Sequence, residues 1–535
     1  MVTLVSNIGG DMGHRGDPDH FVAKYHALSD DQVIAAKATI QERLRNKWII
    51  GPFNLSDDII ADVSPVISPW FLVPKGTSTS DNPKFREIQD LTKSGVNDGI
   101  SQDSHRTEYG SLEDALTIIR VLGRNAWMFV IDIAHAYRNL KLRQQDWRLT
   151  AFRVLNLIFF DTRLPMGSRS SPFLWMEFIR AFKWILKTNH GIVNVVDYMD
   201  DFMGAAASYD EARENMNVFL ALARQLNVPI APDKIQMAQE VEFLGIVINT
   251  VQWTISFSAK KRDKLLSLVN KWKSAESISN KELQSMIGKF LHASIVYFGG
   301  GTFTRPLIHK LKHVRNANRI QMAKYPEIAL SLKWWDLALR TRNDRPITRT
   351  IPDARYQLWS DASYTKGLGA FYNDTWFAIR WNTWNPWKYL PDASPEMHIN
   401  ILELLAVVLS CAIWGGEWNT SHVLIHCDNS SVCDVVTAKR SKDEVMNHLL
   451  MLLHYIQIRY GFDLSIAYIN TKDNIDADDI SRFQFVRFFK RNPRASRTGL
   501  TVPWSALPEF QLNTKFLNLP TIDQKSITTD PQGHS

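Results

Sequence analysis

Apolar and polar positions change rhythm several times along the chain. Between residues 63 and 250, short β-rich apolar runs alternate with amphipathic stretches of helical period. Four runs predict strands: 70–74, 127–132, 193–196 and 243–248. Residues 31–46 set Ile34, Ile40 and Leu44 against Glu42, Arg43 and Arg45 and predict a helix. Residues 259–342 are helical in pattern, with a helix start where Ser277-Ile-Ser-Asn280 meets Lys281-Glu282-Leu283. A second strand-rich unit opens at Tyr356, beyond a linker flanked by Pro346 and Pro352, and closes near Arg482. Pro493, Pro503, Pro508, Pro520 and Pro531 then predict an extended or disordered tail. The expected organisation is an N-terminal extension (1–57), an α+β unit (58–258), a helical segment with linker (259–345), an α/β unit (346–484) and the tail (485–535).

Composition narrows the class. At 45% hydrophobic and 22% charged residues, the 535-residue chain is an ordinary globular one with room for several cores. Three cysteines (Cys411, Cys427 and Cys433) are too few for a disulfide framework, and their spacing matches no usual zinc pattern, so an intracellular, reducing setting is expected. No apolar run is read as reaching the roughly 18 residues that span a membrane, and no membrane association is expected. Lys+Arg 62 against Asp+Glu 55 gives +7, a modest bias toward a polyanionic partner. Part of that bias sits in Lys260, Lys261, Arg262, Lys264, Lys271 and Lys273.

The acidic residues carry the chemistry. Asp-Asp also occurs at 30–31, 57–58 and 478–479, so the pair by itself means little, its usual explanation being a turn or helix cap. The pair Asp200-Asp201 differs, because it lies between Val195-Val196 and Phe202-Met203, where carboxylates are costly unless a cation neutralises them. Asp132 poses the same problem at the end of the run 127–132. Divalent cations with oxygen ligands, most simply Mg²⁺, resolve it and suit in-line phosphoryl transfer. Around these lie Tyr137, placed to block a nucleotide 2′-hydroxyl, and Arg86, a guanidinium suited to a triphosphate. The turn Leu164-Pro165-Met166-Gly167, feeding a helix at Ser171-Pro172, makes a platform for a nucleotide, and Lys234 is placed to protonate a leaving pyrophosphate.

In this order, Ser68-Pro69, Arg86, Asp132, Tyr137, Leu164-Pro-Met-Gly167, Ser171-Pro172, Tyr198-Met199-Asp200-Asp201, Lys234 and Phe243-Leu244-Gly245, the chain resembles the reverse transcriptases. The resemblance implies a right-hand polymerase of fingers, palm and helical thumb. It makes Asp132, Asp200 and Asp201 metal ligands, Tyr137 the steric gate, Arg86 and Lys75 triphosphate contacts, and Phe243-Leu244-Gly245 the primer grip. Met166, Gly167, Tyr198 and Met199 would line the nucleotide site. Many relatives carry Gln or Phe where this chain has Met166.

A second set follows. Asp361 ends a strand-like run, Glu403 sits in a strongly apolar helix, Asp428 ends another apolar run and Asp478 follows Asn474-Ile-Asp-Ala477. A glutamate in an apolar helix is rare without a partner, and four such carboxylates can hold two Mg²⁺ ions that activate water against a phosphodiester. The set resembles the ribonuclease H fold. On that resemblance Asp361, Glu403, Asp428 and Asp478 are the metal ligands, Asn400 and Ser430 contact the hybrid's minor groove, and Tyr468 stands where some retroviral relatives have a mobile histidine. Ala477-Asp478-Asp479-Ile480-Ser481-Arg482 fits the family's pattern with Asp478 as the ligand.

Ile49-Ile-Gly-Pro-Phe53, Val96-Asn-Asp-Gly-Ile100, Leu283-Gln-Ser-Met-Ile-Gly288, His398-Ile-Asn400 and Arg440-Ser-Lys-Asp443 look most like DIRS-type retrotransposons, whose elements encode a tyrosine recombinase. The resemblance implies two Mg²⁺ per site, with Mn²⁺ as substitute. It also implies an RNA template, a DNA primer, RNA–DNA hybrid and dNTPs, and a separately encoded recombinase and capsid-like protein as partners. Hepadnavirus-like and gypsy-type LTR polymerases are alternatives. A domesticated, non-catalytic nucleic-acid-binding derivative predicts lost ligands, yet all seven carboxylates are present.

Overall fold

The computed structural model describes residues 9–16, 21–23, 27–74, 85–101, 107–313, 319–348, 352–353, 355–381 and 395–502. The chain divides into two compact units, Met1–Leu244 and Gly245–Ser535.

In the first unit, α1 (Asp30–Arg45) begins with a capping box between Ser29 and Gln32, which satisfies N–H groups that the first turn leaves open. Asp30 and Asp31 lie in that first turn, and Asp57 is the N-cap residue of α2 (Asp58–Val63), so these acidic pairs have local helical explanations. The strands β1 (Ile49–Phe53), β2 (Ile67–Ser68), β3 (Trp70–Pro74) and β4 (Phe85–Gln89) follow. Then come α3 (Leu112–Leu122), β5 (Trp127–Asp132), β6 (Ala151–Val154), β7 (Leu157–Asp161) and α4 (Ser171–His190). The unit closes with β8 (Val195–Tyr198), β9 (Asp201–Ala206), α5 (Tyr209–Gln225), β10 (Gln236–Ala238) and β11 (Glu240–Phe243).

Three sheets result: β1-β7-β6-β2, the ribbon β3-β4, and the antiparallel sheet β10-β5-β9-β8. Helix α4 presents Trp175, Ile179, Phe182 and Leu186 at helical spacing, all buried in one core with Phe129, Ile131, Phe202 and Phe219. The Phe182 and Phe219 ring centroids are 4.9 Å apart. Gly204 pairs with Phe129 across the strands, and a Cβ there would lie 2.1 Å from that ring, so the aromatic core requires a glycine. The strand predicted at 193–196 starts later, at Val195, and the run 243–248 is broken. Leu244 and Gly245 take φ +50° and +78°, ending β11 at Phe243, because glycine enters the left-handed region freely.

In the second unit, β12 (Ile246–Asn249) and β13 (Thr254–Ser256) precede α6 (Ala259–Lys273), β14 (Ser277–Ser279), α7 (Asn280–Ala293), α8 (Gly300–His313), β15 (Arg319–Gln321), α9 (Pro326–Thr341) and β16 (Asp344–Pro346). Helix α7 starts at the expected place, with a capping box between Ser279 and Glu282. Next come β17 (Gln357–Ala362), β18 (Gly367–Tyr372), β19 (Thr375–Arg380), α10 (Pro395–Trp414), β20 (His422–Cys427), α11 (Ser430–Ala438), α12 (Glu444–Tyr460), β21 (Asp463–Tyr468), α13 (Ile475–Ser481) and α14 (Phe485–Arg491). They build a five-stranded sheet, β19-β18-β17-β20-β21, antiparallel across β17 to β19 and parallel across β17, β20 and β21. Leu404, Leu405, Val408 and Leu409 of α10 share its core with Leu449 and Leu453 of α12.

Two expectations need correction. Residues 485–502 are not an extended tail: α14 packs Phe488 against Trp376, Ala378, Ile480 and Ala495, and Leu500 N–H donates to the Trp376 carbonyl at 2.8 Å. The aromatic run Phe483, Phe485, Phe488 and Phe489 packs into this cluster and orders the segment despite Pro493. Residues 503–535 lie outside the described residues. One window, Ile399–Glu417, is also long and apolar enough to cross a membrane, because Glu403 interrupts the run without offsetting its apolar neighbours. Most of that window is buried inside the unit as its core helix.

Candidate active sites

Strands β8 and β9 form a hairpin in which Tyr198 pairs with Asp201, leaving Met199 and Asp200 as the two turn residues. Met199 has φ +57°, a left-handed conformation that costs an L-residue about 1 kcal/mol. The Trp175 indole of α4 donates to the Met199 carbonyl at 2.8 Å and holds this turn. Asp132, at the end of β5, is the cross-strand partner of Asp201, and Ile133 N–H donates to the Asp200 carbonyl at 2.8 Å. Three carboxylates therefore share one edge of the sheet, an arrangement that repels without a cation.

The electrostatics follow from this placement. Burial, then the negative charges of Asp200 and Asp132, pushes the Asp201 carboxyl up to about 6. Asp200 is raised by burial, with Asp132 adding to the effect and its own backbone N–H opposing it. The Lys234 ammonium lies 2.8 Å from Asp132 Oδ2 and supplies positive charge at the cluster, and the contact raises its own proton affinity. The Tyr137 hydroxyl is held well above the usual phenol range by burial, then by Tyr109 and Asp200, and its ring packs against the core of this unit. The Tyr198 and Tyr109 ring centroids are 5.3 Å apart.

The structure thus brings Asp132, Asp200, Asp201, Lys234 and Tyr137 together, with Tyr198 and Met199 in the same hairpin. Arg86 stands exposed on β4, and Met166 and Gly167 are exposed in the turn before α4. Asn97 fixes that turn, donating to the Gly167 carbonyl at 2.9 Å and accepting from Arg169 N–H at 2.9 Å. Gly167 has φ +107°, and a Cβ would meet the Gln89 carbonyl oxygen at 2.4 Å, so no other residue fits there unstrained. Phe243 is buried at the end of β11, followed by the left-handed turn of Leu244 and Gly245. Lys75 lies outside the described residues.

In the second unit, Asp361 near the end of β17 and Asp428 just past β20 come from neighbouring parallel strands, while α10 brings Glu403 and α13 brings Asp478. Asp361 and Glu403 are each only 4% exposed. Burial, joined by the charges of Asp428 and Asp478, pushes Asp361 up to about 7, while a hydrogen bond from the Ser481 hydroxyl works the other way. Glu403 is raised well above the carboxylate range by burial, then by Asp361 and Asp428. Asp478 accepts from Arg482 at 2.6 Å. Asp479 is buried against Arg487 and Arg491, whereas Asp478 is the one of the pair whose charge acts on Asp361.

Possible ligand atoms of Glu403, Cys427 and Asp428 all lie within 4.8 Å of one another. The Cys427 thiol is held protonated by its contact with Cys433 and by burial, so it is a poor partner for a hard ion. Oxygen donors predominate in both clusters, the donor type that Mg²⁺ and Mn²⁺ take, and among the described residues the group with ligand atoms this close together is Glu403, Cys427 and Asp428. Sequence reading missed three supporting residues. Trp175 holds the Met199 turn, and Ser481 orients Asp361. Asn429 caps α11 through Val432 N–H at 3.1 Å and donates to Asn400 at 2.7 Å, linking Asn400 to the helix that begins with Ser430. The run Asp428-Asn429-Ser430-Ser431 carried a helix-cap signal for the last of these.

An antiparallel sheet with aspartates at adjacent strand ends, backed by two helices, is the palm of a right-hand polymerase, and the first unit has that fold. Residues 79–248 match the family described as reverse transcriptase (RNA-dependent DNA polymerase), so this stretch is a reverse transcriptase domain. The chain has homologues among Pol polyproteins. The retrovirus-related Pol polyprotein from transposon opus of Drosophila melanogaster is 26% identical over 196 residues, 36% of this chain and 18% of that protein. The Gag-Pro-Pol polyprotein of Simian retrovirus SRV-2 is 23% identical over 248 residues, 45% of this chain and 13% of that protein. The matched part is thus less than a fifth of either relative's length. Among solved structures, a foamy viral protease-reverse transcriptase in complex with double-stranded DNA aligns with TM-score 0.52 and 17% identity, covering 87% of this chain and 73% of that one. A foamy viral protease-reverse transcriptase in complex with an RNA/DNA hybrid aligns with TM-score 0.51 and 16% identity, covering 86% of this chain and 56% of that one. These likenesses concern the fold.

Proposed function

We propose that this chain copies a retroelement RNA into DNA, using RNA and then DNA as template, and hydrolyses the RNA of the resulting hybrid. One observation carries the polymerase half: Asp132 and Asp201 face each other across β5 and β9, with Asp200 in the adjoining turn. Asp132, Asp200 and Asp201 would hold two Mg²⁺ ions, and Asp361, Glu403, Asp428 and Asp478 two more. Bound there, the metal supplies electrostatic stabilisation of phosphoryl transfer and lowers the pKa of a hydroxyl or water.

The chain's own groups do the rest. Tyr137 fills the space of a ribose 2′-hydroxyl and so favours deoxynucleotides. Arg86 and Lys75 bind the triphosphate, and Met166, Gly167, Tyr198 and Met199 bound the nucleotide pocket. Lys234 donates a proton to the departing pyrophosphate, and Phe243-Leu244-Gly245 hold the primer strand. Asn400, tied to Asn429, and Ser430 contact the hybrid through its minor groove, where 2′-hydroxyls distinguish RNA.

The parent element is of DIRS type in this reading, on the motifs quoted above. The enzyme works inside the cell with a separately encoded tyrosine recombinase and capsid-like protein. The test extends a labelled DNA primer on RNA with dNTPs and Mg²⁺ and follows the template in the same reaction. Elongation with template shortening is expected. An intact primer and intact template would overturn the reading, and DNA covalently attached to a tyrosine of this chain would favour a protein-primed polymerase instead.

A further inference from the structure

Tyr137 and Arg86 lie on different elements, yet the residue after each enters one buried ionic group. Arg138, in the short turn Ala136–Asn139, is 4% exposed and bonds the carboxylate of Asp161, which ends β7 and is fully buried. Arg43 of α1, also 4% exposed, reaches Asp161 at 3.8 Å, pairs with Glu87 of β4 and lies over the Phe152 ring at 5.6 Å. Side chains alternate along a strand, so Glu87 points inward while its neighbour Arg86 faces out. Two cations and two anions thus join α1, β4, the Tyr137 turn and β7 in one interior network. Asp161 Oδ2, Glu87 Oε2 and an Arg43 guanidinium nitrogen remain without hydrogen-bond partners in it.

Such a group is a poor way to gain stability, because desolvating four charges offsets most of their attraction and apolar packing does as well. What it supplies is fixed geometry, since each charge has few alternative places to go. We propose that the Arg43–Glu87–Arg138–Asp161 quartet positions the two deoxynucleotide contacts, setting Tyr137 against the sugar through Arg138 and Arg86 against the triphosphate through Glu87. This rests on the polymerase reading and adds to it four positioning residues that touch neither substrate nor metal. Because Asp161 joins both arms, neutralising it disturbs sugar selection and triphosphate binding together.

The test is single-nucleotide extension of a DNA primer on RNA by the full chain, with dNTP and with rNTP, for wild type, Asp161→Asn and Glu87→Gln. For Asp161→Asn, KM for dNTP rises about tenfold with kcat changed by less than about threefold, and the preference for dNTP over rNTP falls about tenfold. Glu87→Gln is milder, since Glu87 lies nearer the surface, and raises KM alone. It keeps the proposal falsifiable if Asp161→Asn fails to fold, as judged by circular dichroism. Hydrolysis of preformed hybrid is unchanged in both. Unchanged KM and sugar preference, or a loss confined to kcat or to thermal stability, would overturn the positioning role. A wild-type chain that extends no primer would instead overturn the polymerase reading itself.

Discussion

The two carboxylate clusters meet the same electrostatic difficulty by different means. In the palm, Asp132, Asp200 and Asp201 stand at a half-open sheet edge with the Lys234 ammonium 2.8 Å away, and Asp201 is pushed up only to about 6. In the second unit, Asp361 and Glu403 are almost wholly buried, and the positive charge acting on Asp361 is Arg482, which is itself bonded to Asp478. There Asp361 rises to about 7 and Glu403 higher still. In the first cluster a protein cation and partial solvation oppose the rise. In the second, burial dominates and favours the protonated forms of Asp361 and Glu403.

Neutralising one cluster at a time should separate the two activities. Asp200→Asn should reduce primer extension at least about a thousandfold and leave hybrid hydrolysis intact, while Asp428→Asn should do the reverse. Loss of both activities in either folded variant would show that the clusters are not independent.

A smaller effect concerns stability without metal. A carboxylate whose pKa is raised by folding binds more protons in the folded than in the unfolded state, so stability falls as pH rises through the window between the two values. For Asp361 that window runs from about 4 to about 7, and for Asp201 it closes near 6. In EDTA the second unit should therefore lose stability up to about pH 7. Asp361→Asn, which removes the buried charge, should raise its melting midpoint at pH 8 by a few degrees (roughly 1 kcal/mol) while abolishing hydrolysis. Calorimetry across pH checks this, and a midpoint lowered at pH 8 would count against it.

The smallest effects separate the devices that hold each cluster. Ser481→Ala removes a hydrogen bond that favours ionised Asp361, so the acid limb of the hydrolysis profile should move to higher pH, with activity at neutrality down about fivefold. Trp175→Phe frees the Met199 carbonyl and should lower primer extension by a similar factor with no shift in its pH profile. Parallel pH–rate curves for both variants and both activities distinguish the two.

The grouping of the carboxylates at strand ends was legible in the sequence because aspartates at the ends of apolar runs are costly and therefore conspicuous. The α7 start was legible for a similarly local reason, a cap residue three positions before Glu282. What could not be read depends on contacts distant in sequence. Arg43, Glu87, Arg138 and Asp161 each sit in unremarkable local contexts, and only folding makes them a group. Trp175 looks like any apolar position on α4 until its indole N–H is seen to meet the Met199 carbonyl. At α14 and at Gly245 local signals misled: prolines obscured an aromatic run able to pack, and a continuous apolar run hid a left-handed turn.

Two acidic pockets should each take up hard divalent cations. Titration of Mn²⁺ into the nucleic-acid-free chain, with bound metal followed by electron paramagnetic resonance, tests it most directly. Wild type should show two classes of site, Asp200→Asn should lose one and Asp428→Asn the other, and lowering the pH from 8 to 6 should weaken the second unit's sites more than the palm's. Identical isotherms for all three proteins would contradict it.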